Sequence, residues 1–217
     1  MNNVTQTTQA INNAIQKALD FLATYGLDKL ERALLFGAGI VVVLALITGS
    51  IAMSYDWFKF LFRWLHVLAG VMWIGLLWYF NFVQIPSMPN IPDEQKPAVS
   101  KVIAPTALFW FRWAALATVV TGLILALMNG YLFSALFFGL GTWGQPTYIG
   151  FGMWLGLIMA YNVWMIIWPN QQKALGLVEA SDEEKKAAAR TAMLTSRFNT
   201  MLSIPMLYFM VAAQNVA

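Results

Sequence analysis

The chain has 217 residues, of which 59% are hydrophobic and only 11% charged, whereas a soluble domain carries roughly a quarter charged residues. Its charges are clustered between long uncharged stretches, which makes lipid the expected solvent, and the +3 net charge sits in short loops without any aromatic-and-basic motif, which speaks against nucleic acid as a partner. With no cysteine at all, disulfides, thiolate metal sites, a cysteine nucleophile and the C-x-x-C-H attachment of a c-type haem are excluded.

Residues 1–32 open the chain as an amphipathic helix, with Val4, Ile11, Ile15, Leu19 and Leu22 at helical spacing among Asn, Gln and Thr. No basic flank precedes an apolar core there, so no cleaved signal peptide is expected. The rest, 33–217, reads as an all-α membrane helix bundle of five spans. The first is expected at 33–53 and the second at 60–85, followed by a loop in which Pro86, Pro89, Pro92 and Pro97 argue against regular helix. A third span is expected at 107–128. Tyr131 to Leu140 is apolar but too short to cross, and reads as an interfacial or re-entrant piece before a turn-rich stretch from Gly139 to Pro146. The fourth is expected at 147–168. Ser181 and Glu184 have capping-box spacing, which predicts a short solvated helix before the fifth span at 199–216, where Pro205 is expected to introduce a kink.

Five spans put the basic residues on two very unequal sides. Lys17, Lys29, Arg32, Lys96, Lys101, Lys173, Lys185, Lys186, Arg190 and Arg197 share one, and only Lys59 and Arg63 lie on the other. The basic side is therefore expected in the cytoplasm, with the N-terminus, and the C-terminus in the periplasm of a bacterial inner membrane. Ten Trp and seven Tyr suit the two interfaces.

His66 is the only histidine. Placed inside a span, it is either a structural group bonded to a neighbouring helix or a ligand for haem b, with a methionine such as Met153 or Met159 opposite. Gly70, one turn further, leaves room for a flat ligand or a close helix. Gly152 and Gly156 form a GxxxG pair, and with Gly70 and Gly75 they read as helix-packing positions. Asn81, Gln84, Asn162, Gln214 and Asn215 are each expected to be able to bond across helices. No paired carboxylates, Ser-His-acid set, phosphate loop or metal cluster stands out, so no catalytic residue is assigned. With Arg112 just inside the third span as the exception, the absence of internal repeats and intramembrane charges argues against a transporter.

The run from Arg63 to Gly75 (RWLHVLAGVMWIG) resembles the second-span signature of the membrane domain of bacterial membrane-bound urate oxidases. Two later segments agree: Trp168 to Gly176, and Ser196 to Pro205. The resemblance implies purine oxidation coupled to a respiratory chain through a cytochrome c domain. This sequence looks like a short form without that domain. Where the family pattern has histidines after Ser-Arg and near the end of the last span, it has Phe198 and the Gln214-Asn215 pair. The expectation is an accessory or structural subunit of a larger membrane electron-transfer complex, with other membrane subunits and a periplasmic c-type cytochrome as partners. The alternative is an oxidoreductase, for purine oxidation or haem b electron transfer, centred on His66.

Overall fold

A computed structural model describes residues 2–140 and 145–216. The chain divides into two compact units, Met1–Trp57 and Phe58–Ala217. In the first, α1 (Asn2–Leu22) runs through a π turn (Ala23–Leu27) towards α2 (Leu30–Ile47). The expected apolar face of α1 is present in Ile11, Ile15, Leu19 and Leu22, each about half exposed. None of the side chains of α2 is buried. An 18-residue helix in that state, apolar but for Glu31 and Arg32, suits a hydrocarbon environment and would be costly in water.

The second unit is built from α3 (Tyr55–Trp78), α4 (Ala104–Met128), the short α5 (Leu132–Leu136), α6 (Gln145–Tyr161), α7 (Trp168–Ala174) and α8 (Asp182–Asn215). Among the described residues, four helical stretches are long and apolar enough to cross a membrane: Leu30–Ile47, Tyr55–Asn90, Lys96–Met128 and Pro146–Ala174. The first four expected spans fall within or across these. The segment 199–216 is not among them, because its polar residues dilute it. Nor is it separate from the capped helix before it. Residues 182–215 form one 34-residue helix, about 51 Å long, continuous through Pro205.

The prolines after the second span also act differently from expectation. Helix persists at Ile85–Ser87, as a 3₁₀ turn at Met88–Asn90, and again at Lys96–Ala98. The reason is a recurring device. Pro86, Pro105 and Pro169 each follow a π turn, at Tyr79–Gln84, Val99–Ile103 and Asn162–Ile167. A proline clashes with the carbonyl four residues back, and in all three cases that carbonyl belongs to the widened turn. One extra residue per turn absorbs the clash and the helix goes on.

The core is formed by Trp73, Leu77 and Phe80 of α3 and its extension, Phe111 and Ala115 of α4, Met159 and Val163 around the end of α6, and Met206 of α8. Polar side chains tie these helices together. Asn162 Nδ2 donates to Asn199 Oδ1 at 2.8 Å, and Asn199 Nδ2 to the Met159 carbonyl at 2.9 Å. Asn81 Nδ2 donates to Ser196 Oγ at 2.8 Å, and Trp78 Nε1 to Ser203 Oγ at 3.0 Å. Arg112 lays its guanidinium 3.8 Å from the centre of the Trp168 ring, an aromatic partner for a cation within an apolar stretch.

At the start of α8 the capping box is complete. Ser181 Oγ accepts from the Glu184 backbone N–H at 3.2 Å, and Glu184 Oε2 accepts from the Ser181 N–H at 2.7 Å. The backbone N–H of Ser181, then its side chain, hold the Glu184 carboxyl below its ordinary range. A depressed folded-state pKa means the cap is at full strength above the unfolded value, about 4.3, and is lost as pH falls through the lowered one. The protection factor of the Ser181 amide, its exchange relative to the intrinsic rate at the same pH, is therefore expected to fall on acidification below that value. Ser181→Ala should show reduced protection of the Glu184 amide already at neutral pH. Equal protection of both proteins at pH 7 would remove the cap from the account.

Candidate functional site

The chemistry-bearing histidine stands three residues after Arg63, at the middle of α3. His66 Nδ1 lies 2.8 Å from the backbone carbonyl of Thr118 in α4. A carbonyl oxygen only accepts, so Nδ1 carries the proton in this bond. Nε2 is then left with its lone pair and has no protein partner among the described residues. Thr121 Oγ1 sits 3.4 Å from Nδ1 and spends its own hydrogen on the carbonyl of Ala117 at 2.6 Å. A histidine fixed by a backbone carbonyl through one ring nitrogen, with the other free, is oriented for a ligand.

Gly122 makes this arrangement possible. A methyl group there would lie 2.7 Å from His66 Cε1 and 3.0 Å from Nδ1, so the ring rests directly on the backbone of α4. The sequence gives no sign of this, because it depends on the register between α3 and α4.

Beside His66 lies a cavity of about 680 Å³, within the size range of small-molecule sites. Its polar lining is Arg63, His66, Thr118, Tyr131, Gln214 and Asn215; Tyr131, Gln214 and Asn215 lie where α4 and α8 finish, and Arg63, His66 and Thr118 lie in the first half of α3 and the second half of α4. The remainder is largely apolar and includes Trp73, Ile74, Met153, Leu157, Met206 and Met210. Trp73 is 1% exposed, and its indole N–H is buried without an acceptor.

The four glycines expected at packing positions divide. Gly152 packs against Met210, with a methyl there meeting its side chain and backbone at 3.2 Å. Gly70 has only the Thr118 methyl nearby, at 3.9 Å, while Gly75 and Gly156 have nothing within 4 Å. Those three line the cavity, and their missing side chains are part of its volume. Met153 is in the lining with His66, whereas Met159 is fully buried in the core. No group of three or more His, Cys, Asp or Glu able to hold a metal occurs among the described residues.

These features define a helical protein with four stretches fit to span a membrane and a histidine-walled cavity in its larger unit. The family model for the urate oxidase N-terminal domain matches residues 143–215. The match takes in α6, α7 and α8, including the Trp168–Gly176 and Ser196–Pro205 segments; the Arg63–Gly75 run carrying His66 lies outside it. The likeness to the urate oxidase membrane domain thus holds over the last third of the chain. No curated protein and no solved structure gives a match.

Proposed function

We propose that the protein is an accessory subunit of a membrane electron-transfer assembly, lying in a bacterial inner membrane. The observation that carries this reading is the urate oxidase N-terminal match over residues 143–215 of a helical bundle with a single histidine. In this reading α8 supplies a fifth span from about residue 199, and the basic loops lie in the cytoplasm. Native purification in mild detergent tests it. Redox subunits, including a c-type cytochrome, are expected to travel with the chain. A stable monomer with no such partner sinks the proposal.

A second reading, an oxidoreductase or electron carrier with haem b at His66, is favoured by the Nδ1 bond to Thr118. The residues fit the group: His66 Nε2 has its lone pair free, and Met153, Met206 and Met210 share the cavity lining as thioether donors. Bound there, haem would supply one-electron transfer. This chain's residues would hold and orient it. A haem b band in the reduced-minus-oxidised spectrum, removed by His66→Ala, would establish this reading; a colourless chain would end it.

A further inference from the structure

We propose that the cavity beside His66 is a berth for a membrane-soluble prenyl quinol, entered sideways from the lipid. The choice of a quinol over other amphiphiles rests on the electron-transfer reading above. The cavity itself argues for an amphiphile with a small polar head.

Polar groups come from the first half of α3, from the second half and end of α4 and from the end of α8, and the rest of the lining is apolar, so the site is graded in the same sense as a molecule with a polar ring and a hydrocarbon tail. Along one flank the lining is open. Val67, Val71 and Val211 are each more than half exposed. An opening between apolar side chains gives a lipid-dissolved ligand a route that avoids water. It also suits a tail that stays in the bilayer while the ring is held inside.

The hydrogen-bonding groups are complementary as well. His66 Nε2 is an acceptor without a donor, and a quinol hydroxyl is a donor. A quinol hydroxyl set against His66 leaves the ring and the tail among the apolar lining. Gly70, Gly75 and Gly156 provide the width for such a ring, since a methyl at Gly75 or Gly156 would stand in open space and one at Gly70 would meet only the Thr118 methyl at 3.9 Å. No electron-transfer step is required for this inference, which concerns binding alone.

The test uses the purified full chain in detergent with decylubiquinol under argon, read by quenching of tryptophan fluorescence; Trp73 and Trp78 both line the cavity. Saturable quenching is expected. Gly156→Leu and, as a second variant in case the first misfolds, Gly75→Leu should weaken it more than tenfold by filling the cavity, with unfolding midpoints unchanged or raised. His66→Leu should weaken it about fivefold, the worth of one ordinary hydrogen bond. Quenching that does not saturate, or that is unaffected in folded Gly156→Leu and Gly75→Leu, overturns the proposal. So does a haem b band in the purified chain, or equal displacement by oleate, which would make the cavity a haem or general lipid site. The two readings fail separately: redox subunits copurifying with a chain that binds no quinol would leave the accessory role standing, whereas saturable binding by a chain without partners would do the reverse.

Discussion

An Asn199→Leu protein is expected to unfold about 1–3 kcal/mol more easily than the parent, the range for stranding a buried polar group. Asn199 is 0% exposed and Asn162 only 7%. Asn199 accepts from Asn162 with its oxygen and donates to the Met159 carbonyl with its nitrogen. Leucine is close enough in size to fill the space but answers neither group, and no water reaches them. Interhelical bonds in membrane proteins average nearer 0.6 kcal/mol, because the unfolded helices find other partners in the bilayer. Full burial at the junction of α6 and α8 moves this pair to the upper part of the range. The double variant Asn162→Leu/Asn199→Leu should recover part of the loss, since it removes the stranded amide together with its partner. Denaturation in detergent of the parent, the two single variants and the double gives the coupling. If the double loses the sum of the singles, the pair is not coupled and the bond contributes nothing of its own.

The same asparagines show what a sequence discloses about such a fold. Asn81 and Asn162 stand alone in long apolar runs, where a polar side chain has few choices but a neighbouring helix, and both bond across helices. The capping box of Ser181 and Glu184 is equally visible, being a local pattern three residues wide. Four of the five expected spans could be read for the related reason that composition over about 20 residues is a local property. Features that depend on how one helix lies against another were hidden. Gly122 resembles any other glycine until His66 is laid on it. Gly156 belongs to a GxxxG pair, yet only Gly152 of that pair meets a helix while Gly156 borders the cavity. The continuity of α8 was obscured by its change of character: its charged first turns and apolar last turns suggest two elements, but one helix runs from Asp182 to Asn215, with Pro205 inside it withholding only its own N–H. The proline-rich stretch misled in the opposite direction, because prolines at the first positions of a helical segment, preceded by a π turn, do not end it.

Glycine-to-alanine changes at Gly150 and Gly156 are expected to shift stability in opposite directions, although the two residues share one helix. At Gly150 a methyl group would run into the carbonyl oxygen of Ala135, with the Ala135 carbonyl carbon at 3.3 Å and Phe138 Cα at 3.4 Å. These are backbone atoms and cannot swing aside as a side chain would. Residues 131–140 would have to lift from α6, stretching the bond from Trp154 Nε1 to the Leu136 carbonyl, now 3.0 Å. Overpacking of this kind costs about 1–3 kcal/mol, more than the roughly 1 kcal/mol that alanine gains over glycine in a helix. At Gly156 nothing lies within 4 Å, so that gain of up to about 1 kcal/mol is unopposed. Gly150→Ala should therefore lower the unfolding midpoint in detergent, while Gly156→Ala leaves it unchanged or raises it. Tyr131 lines the cavity and begins the displaced segment, so Gly150→Ala should also disturb ligand binding at a site it does not touch. Equal midpoints for the two variants would show that α5 does not rest on α6 as described, and the wall of the cavity formed by Tyr131 would go with it.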